Sequence, residues 1–120
     1  MKIRTGCDVE SVARFAELLQ KEHFCQRIFT EAERAHIAAS GHPQETAAGI
    51  YCAKEAISKA LGRGLFGLKP QELGLVWAET GAPQVALTGS AAEQYGHLQL
   101  AVSISHTKET AFATCVALEE

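Results

Sequence analysis

Apolar and polar residues change their repeat several times along the chain, and each change marks an element. Residues 2 to 8 read as a short strand, after which Val12, Phe15 and Leu19 recur at helical spacing between Ser11 and Gln20, with Arg14 and Glu17 off the apolar stripe. Thr30-Glu31-Ala32-Glu33 forms a capping box, so a helix starts there and runs to about Ala39, where Ser40-Gly41-His42-Pro43 breaks it. From Thr46 to Leu61, Ile50, Ile57 and Leu61 recur among alanines, and Gly62 and Gly64 supply the stop. On this long helix Glu55 and Lys59 share a face, with Tyr51 one turn earlier.

Beyond Pro70 the period falls to two. Leu73, Leu75 and Trp77 alternate with Gly74, Val76 and Ala78, then Thr80-Gly81-Ala82-Pro83 turns the chain into Gln84 to Thr88, predicting a hairpin. Ser90-Ala91-Ala92-Glu93 reads as a second capping box, opening a short helix. Leu98 to Ser105 and Thr110 to Leu118 read as two strands around His106-Thr107-Lys108-Glu109. With no internal repeat or linker, the expected class is α+β: a single compact domain over 1–120, its mainly antiparallel sheet packed on the long central helix.

At 120 residues and 47% hydrophobic, the chain has the means to bury one core. Its formal charge of −3 gives no general attraction for nucleic acid or an anionic membrane, so any anionic ligand must be held locally. Cys7, Cys25, Cys52 and Cys115 form no CxxC pair, which argues against a zinc knuckle and for a reduced, cytoplasmic protein. The polar, glycine-punctuated start does not read as a signal peptide, and no apolar run approaches bilayer length.

Three clusters could carry chemistry. Asp8, where the strand meets a helix, is a turn or cap residue or a ligand; Glu55 is a solvated partner of Lys59 or a second ligand. Mg²⁺ binds one or two carboxylates together with water and substrate phosphates, so Asp8 and Glu55 together suit phosphate transfer. Lys54, Lys59 and Arg63, with the open backbone at Gly62 and Gly64, would then hold phosphate. The glycines are explained equally by a helix end, whose dipole repels anions. Ser103-Ile104-Ser105-His106-Thr107 ends a strand in hydroxyl and imidazole donors suited to phosphate or ribose, or to a satisfied turn. His23, His36, His42 and His97 read as surface or structural, and Cys52 as a small buried hydrophobe.

In this order, the clusters resemble the holo-acyl-carrier-protein synthases, the small bacterial branch of the 4′-phosphopantetheinyl transferases. Gly6-Cys7-Asp8-Val9 with Arg14 and Phe15 is similar to the family's opening motif. Phe24 with Arg27-Ile28-Phe29-Thr30 and Glu33 resembles its second stretch, Ala53-Lys54-Glu55-Ala56 with Ser58-Lys59-Ala60-Leu61-Gly62 its most characteristic segment, and Val102-Ser103-Ile104-Ser105-His106-Thr107 its closing one. The resemblance implies a 4′-phosphopantetheinyl transferase domain over 1–120 that moves the phosphopantetheine arm of coenzyme A to a serine of apo-acyl carrier protein and releases 3′,5′-ADP. It implies Mg²⁺ on Asp8 and Glu55, a catalytic Lys59 facing the CoA phosphates with Lys54, Gly62 and Arg63, and the nucleotide end at Ser105, His106 and Thr107. Arg14 and Arg27 would meet acidic carrier protein, and a homotrimer would form the site between neighbouring subunits.

Two positions depart from the pattern: Ile50 stands where the family usually has an arginine, and Ala82 replaces the basic residue of the usual glycine-basic-proline turn. Loss of the arginine removes a phosphate contact, so weakened CoA affinity is the expected consequence. Two other readings share parts of the pattern. A non-catalytic relative would still bind CoA or carrier protein, and an unrelated metal-dependent phosphohydrolase would use the same carboxylates but give no role to Arg14 and Arg27.

Overall fold

The computed structural model describes residues 1–120. Strand β1 (Lys2–Ser11) pairs antiparallel with β5 (Thr110–Glu119) along its whole length, and β4 (Gln99–His106) pairs with the other side of β5, giving the order β1-β5-β4. Helix α4 (Pro43–Ala60) lies across one face of this sheet. Side-chain size explains the fit: the inward positions of β5 are Ala111, Ala113, Cys115 and Ala117, all buried, and α4 offers Ala53, Ala56 and Ala60. Small residues on both surfaces let the backbones approach, and Gly6 on β1 takes this to its limit. A Cβ there would lie 2.1 Å from the Ala56 carbonyl oxygen and 2.7 Å from the Ala60 nitrogen. The other face of the sheet presents Ile3, Val9, Phe112 and Val116 as exposed apolar side chains.

Strands β2 (Leu73–Trp77) and β3 (Pro83–Leu87) form a separate hairpin, in which Gly81 supplies the left-handed turn residue at φ +88°. Between β1 and α4 the chain makes α1 (Arg14–Leu18), α2 (Glu22–Ile28) and α3 (Glu31–Ala39). The α1 and α2 aromatics meet α4: the Phe15 ring packs 5.6 Å from Tyr51, and Phe24 lies 6.2 Å from Tyr51 and 6.1 Å from Phe29. After the hairpin comes α5 (Gly89–Tyr95). No helix is long and apolar enough to cross a membrane.

The α+β class and the mainly antiparallel sheet on α4 are as expected, as is the Thr30–Glu33 capping box, whose reciprocal hydrogen bonds are 3.1 and 2.9 Å. Several boundaries differ. β1 runs on to Ser11 because β5 offers partners as far as Thr110, and the expected first helix shrinks to Arg14–Leu18. Helix α2 is an additional element, with Phe24 and Ile28 four apart on its inner side. Pro43 opens α4 rather than closing the preceding loop, since a proline at the first helical position loses no hydrogen bond. The second capping box does not form. Instead the Glu72 carboxylate, brought in from before β2, accepts from the Ser90 N–H and hydroxyl and the Ala91 N–H at 3.2, 2.7 and 3.2 Å.

Candidate active site

The glycine contact is what brings the carboxylates together. With β1 pressed onto α4 at Gly6, the next inward residue of the strand, Asp8, faces Glu55 and Lys59. The Asp8 side chain is only 12% exposed, and its Oδ2 is buried with no hydrogen-bond partner. A buried acceptor left unmatched is costly, and among carboxylates a hard cation relieves it. Lys59 Nζ donates to the Cys7 carbonyl at 2.9 Å and lies 3.5 Å from Asp8 Oδ1, half exposed at the mouth of an open cavity of about 390 Å³ that Thr5 and Thr114 also line.

Burial, and then the Asp8 charge, push the Glu55 carboxyl up, while the Tyr51 hydroxyl and Lys59 pull it down. Tyr51 itself is pushed up to about 12 by burial first and Glu55 next, so it remains a donor. The sequence reading missed a third acid here, Glu10. Strand periodicity was the available signal, because residues two apart on β1 share a face. Burial first, then the closeness and charge of Asp8, raise Glu10 to about 7, against the pull of Arg14, with which it forms an ion pair. Cys52, with Sγ donating to the Ala111 carbonyl at 3.4 Å, is fully buried and its thiol is pushed up to about 12, which fits an inert packing residue.

Other expected ligand residues lie elsewhere or are already engaged. Lys54 points to another side of α4, toward α3 and β2: it is fully buried, 2.9 Å from Glu33 Oε1, and donates to the Pro70 and Leu73 carbonyls at 2.7 and 3.1 Å. It cannot reach a ligand in solvent, so its expected cofactor role is corrected to a structural one. Gly62 closes α4 at φ +77° through two helix-end bonds, Gly62 N–H to Lys59 O at 3.0 Å and Arg63 N–H to Ser58 O at 2.9 Å. The Arg63 guanidinium donates to the Gly67 carbonyl at 2.7 Å and the Tyr95 hydroxyl at 3.2 Å.

The closing motif splits. Successive strand residues face opposite ways, so Ser105 belongs to the outer face beside Phe112, while His106 turns to α4, where its Nδ1 meets Glu45 Oε2 at 2.9 Å. Thr107 Oγ1 accepts from the Glu109 and Thr110 N–H groups at 3.2 and 3.1 Å, which is the satisfied-turn alternative. His106 and Glu45 line a cleft of about 220 Å³ with Ile50, Ile104, Trp77 and His36, the last two stacked at 3.7 Å. Ile50 is also part of the core, 1% exposed, so the family's arginine position has become a packed wall. Glu45 and Glu55 are ten residues apart on α4, about 15 Å along its axis, so His106 is engaged with Glu45 and makes no ion pair with Asp8, although both face α4 across β5.

The residues present fit a divalent cation, by the orphaned Asp8 oxygen and the hard-oxygen character of its neighbours. No three Asp, Glu, His or Cys side chains are in ligating geometry, so two carboxylates with water and phosphate oxygens are the arrangement the site supports.

An α+β fold that sets paired carboxylates beside a lysine at the mouth of an open cavity has the groups that phosphate chemistry uses. A family model described as the 4′-phosphopantetheinyl transferase superfamily matches residues 4–115. The chain is 38% identical over 122 residues to the holo-[acyl-carrier-protein] synthase of Caldanaerobacter subterraneus subsp. tengcongensis, covering 98% of this chain and 96% of that one. The same kind of synthase from Syntrophotalea carbinolica is 39% identical over 117 residues, with 92% and 91% covered. Among solved structures, a Bacillus anthracis holo-(acyl-carrier-protein) synthase in complex with CoA (3′,5′-ADP) superposes with a TM-score of 0.82 at 28% identity, covering 98% and 96%. A Chronobacterium ammoniagenes ACPS–CoA complex gives 0.85 at 27%, covering 100% and 99%. The chain belongs to the 4′-phosphopantetheinyl transferase superfamily.

Proposed function

We propose that residues 1–120 form one catalytic domain that transfers the 4′-phosphopantetheine arm of coenzyme A to a serine of apo-acyl carrier protein, in the cytoplasm. The serine oxygen attacks the β-phosphorus, the phosphoanhydride bond breaks, 3′,5′-ADP leaves, and the serine proton passes to a basic oxygen at the site. The observation that carries this reading is Asp8, locked beside Glu55 by the Gly6 contact with one buried oxygen unmatched. Asp8 and Glu55 would hold Mg²⁺, which when bound supplies charge neutralisation on the pyrophosphate. Lys59 is half exposed on a flexible stem, free to exchange the Cys7 carbonyl for a phosphate oxygen, and Tyr51 orients the Glu55 carboxylate.

The nucleotide end would lie at His106 of a neighbouring subunit. Support comes from the pairing of His106 with Glu45 rather than with Asp8 and from the exposed apolar stripe Ile3, Val9, Phe112 and Val116, whose cover by two further copies would make a trimer. Arg14 and Arg27 would receive the acidic carrier. The deciding experiment is mass spectrometry of apo-carrier protein after incubation with CoA and Mg²⁺. A gain of one phosphopantetheine that disappears with EDTA and with Asp8→Asn or Glu55→Gln supports the reading. Unmodified carrier, or full activity of either variant in EDTA, overturns it; phosphate release without carrier would point to a hydrolase.

A further inference from the structure

The cleft at His106 is lined by no lysine or arginine. Its walls are the stacked His36 and Trp77 rings, the apolar Ile50 and Ile104, and the Glu45–His106 pair. Between Arg34 and Lys54 the sequence has no basic residue other than histidine, so the start of α4 brings no fixed cation, and Lys54 itself is buried against Glu33. Lys108, two residues beyond His106, lines a separate cavity of about 240 Å³ that shares Glu45 as a wall.

What the cleft holds instead is a carboxylate. Glu45 sits in the first turn of α4, where the helix dipole favours a negative side chain, and it is 17% exposed. Its Oε2 meets His106 Nδ1 at 2.9 Å, which leaves Oε1 as an acceptor at the cleft wall. A carboxylate accepts hydrogen bonds and donates none, so it suits a hydroxyl and opposes a phosphate. Nucleotide sites use the same contrast, with an acid on a free ribose hydroxyl and an arginine beside a ribose phosphate. The flat His36–Trp77 pair and Ile104 supply the apolar surface for a base.

We infer that Glu45, paired with His106, fits this cleft to a nucleotide end whose ribose 3′-hydroxyl is free, so that 3′-dephospho-CoA serves as phosphopantetheine donor on a par with CoA or better. The inference rests on the transferase reading, with the nucleotide end at His106, and widens its donor class. The serine oxygen attacks the same β-phosphorus, the same phosphoanhydride bond breaks, the serine proton goes to the same basic oxygen, and 5′-AMP leaves in place of 3′,5′-ADP. Pyrophosphate and pantetheine are common to both donors, so Asp8, Glu55 and Lys59 meet the same groups in each. Selectivity is then the difference between two affinities at this cleft.

The test is transfer to apo-carrier protein from CoA and, separately, from 3′-dephospho-CoA, read by mass spectrometry as kcat/KM for each, in wild type and Glu45→Gln, with a thermal melt of both proteins. Wild type should use 3′-dephospho-CoA with kcat/KM no lower than about a third of that for CoA, and Glu45→Gln should move the ratio about tenfold toward CoA. Calorimetric titration of 5′-AMP and 3′,5′-ADP should show the same shift without the reaction, and the wild-type ratio alone decides for a variant that melts early. A wild-type preference for CoA above about threefold, or a ratio unmoved in folded Glu45→Gln, overturns the inference and leaves the transferase reading intact. Carrier left unmodified by either donor overturns both.

Discussion

Lys54 Nζ lies 2.9 Å from Glu33 Oε1, with both side chains completely withdrawn from solvent. Glu33 is at once the third residue of the capping box and, through Oε2, the acceptor of the Leu75 N–H at 2.7 Å, while Lys54 holds the carbonyls that lead into β2. Burial lowers the lysine pKa, and the charge and hydrogen bond of Glu33 oppose that shift. Removing one partner strands a buried charge. Lys54→Ala and Glu33→Ala should each cost about 3–5 kcal/mol, and the double variant less than the sum, as read from urea unfolding. Independent, additive losses of under about 1 kcal/mol would contradict the pairing.

Gly6 has no substitute at its close approach to α4. Gly6→Ala should destabilise the fold by about 3 kcal/mol or more and weaken divalent-cation binding together with it, because separating β1 from α4 moves Asp8 away from Glu55. Manganese binding followed by electron paramagnetic resonance, beside a melt, checks both. An alanine variant with native Tm would show that the contact is not obligatory.

Glu10 gives stability a pH dependence. Its folded pKa of about 7 lies above the ordinary carboxylate value of 4.5, so the folded state binds the proton more tightly than the unfolded one. This contribution is fully present below the unfolded pKa and is lost as the pH rises through 7, a difference of roughly 3 kcal/mol at most. In EDTA the Tm should fall between pH 5 and 8, and Glu10→Gln should flatten that slope and be the more stable protein at pH 8. A wild-type slope unchanged in the variant would remove Glu10 as its source.

Subunit complementation tests the shared site. Asp8→Asn and His106→Ala should each be nearly inactive, and a mixture allowed to exchange subunits should regain part of the activity, since some interfaces then carry both native residues. Sedimentation should give a trimer. Fully active monomers, or mixtures no better than their parts, would place the whole site within one protomer.

Much of this protein was legible along the chain because the relevant forces are local. The Thr30–Glu33 cap, the α4 stop at Gly62, the β2–β3 hairpin and the candidate carboxylates Asp8 and Glu55 follow from spacing, turn chemistry and motif. What sequence could not determine was direction and partnership. Lys54 and Glu55 are neighbours, yet one step of about 100° along the helix sends the first into the core and leaves the second beside Asp8. Ser105 and His106 part across a strand for the equivalent reason. Only the packed structure shows Glu10 joining the acids and Glu72 replacing the expected cap on α5. The Glu72 cap and the Gly6 contact that sets Asp8 beside Glu55 join segments far apart in the chain, where burial and close approach, not local propensity, set the energy.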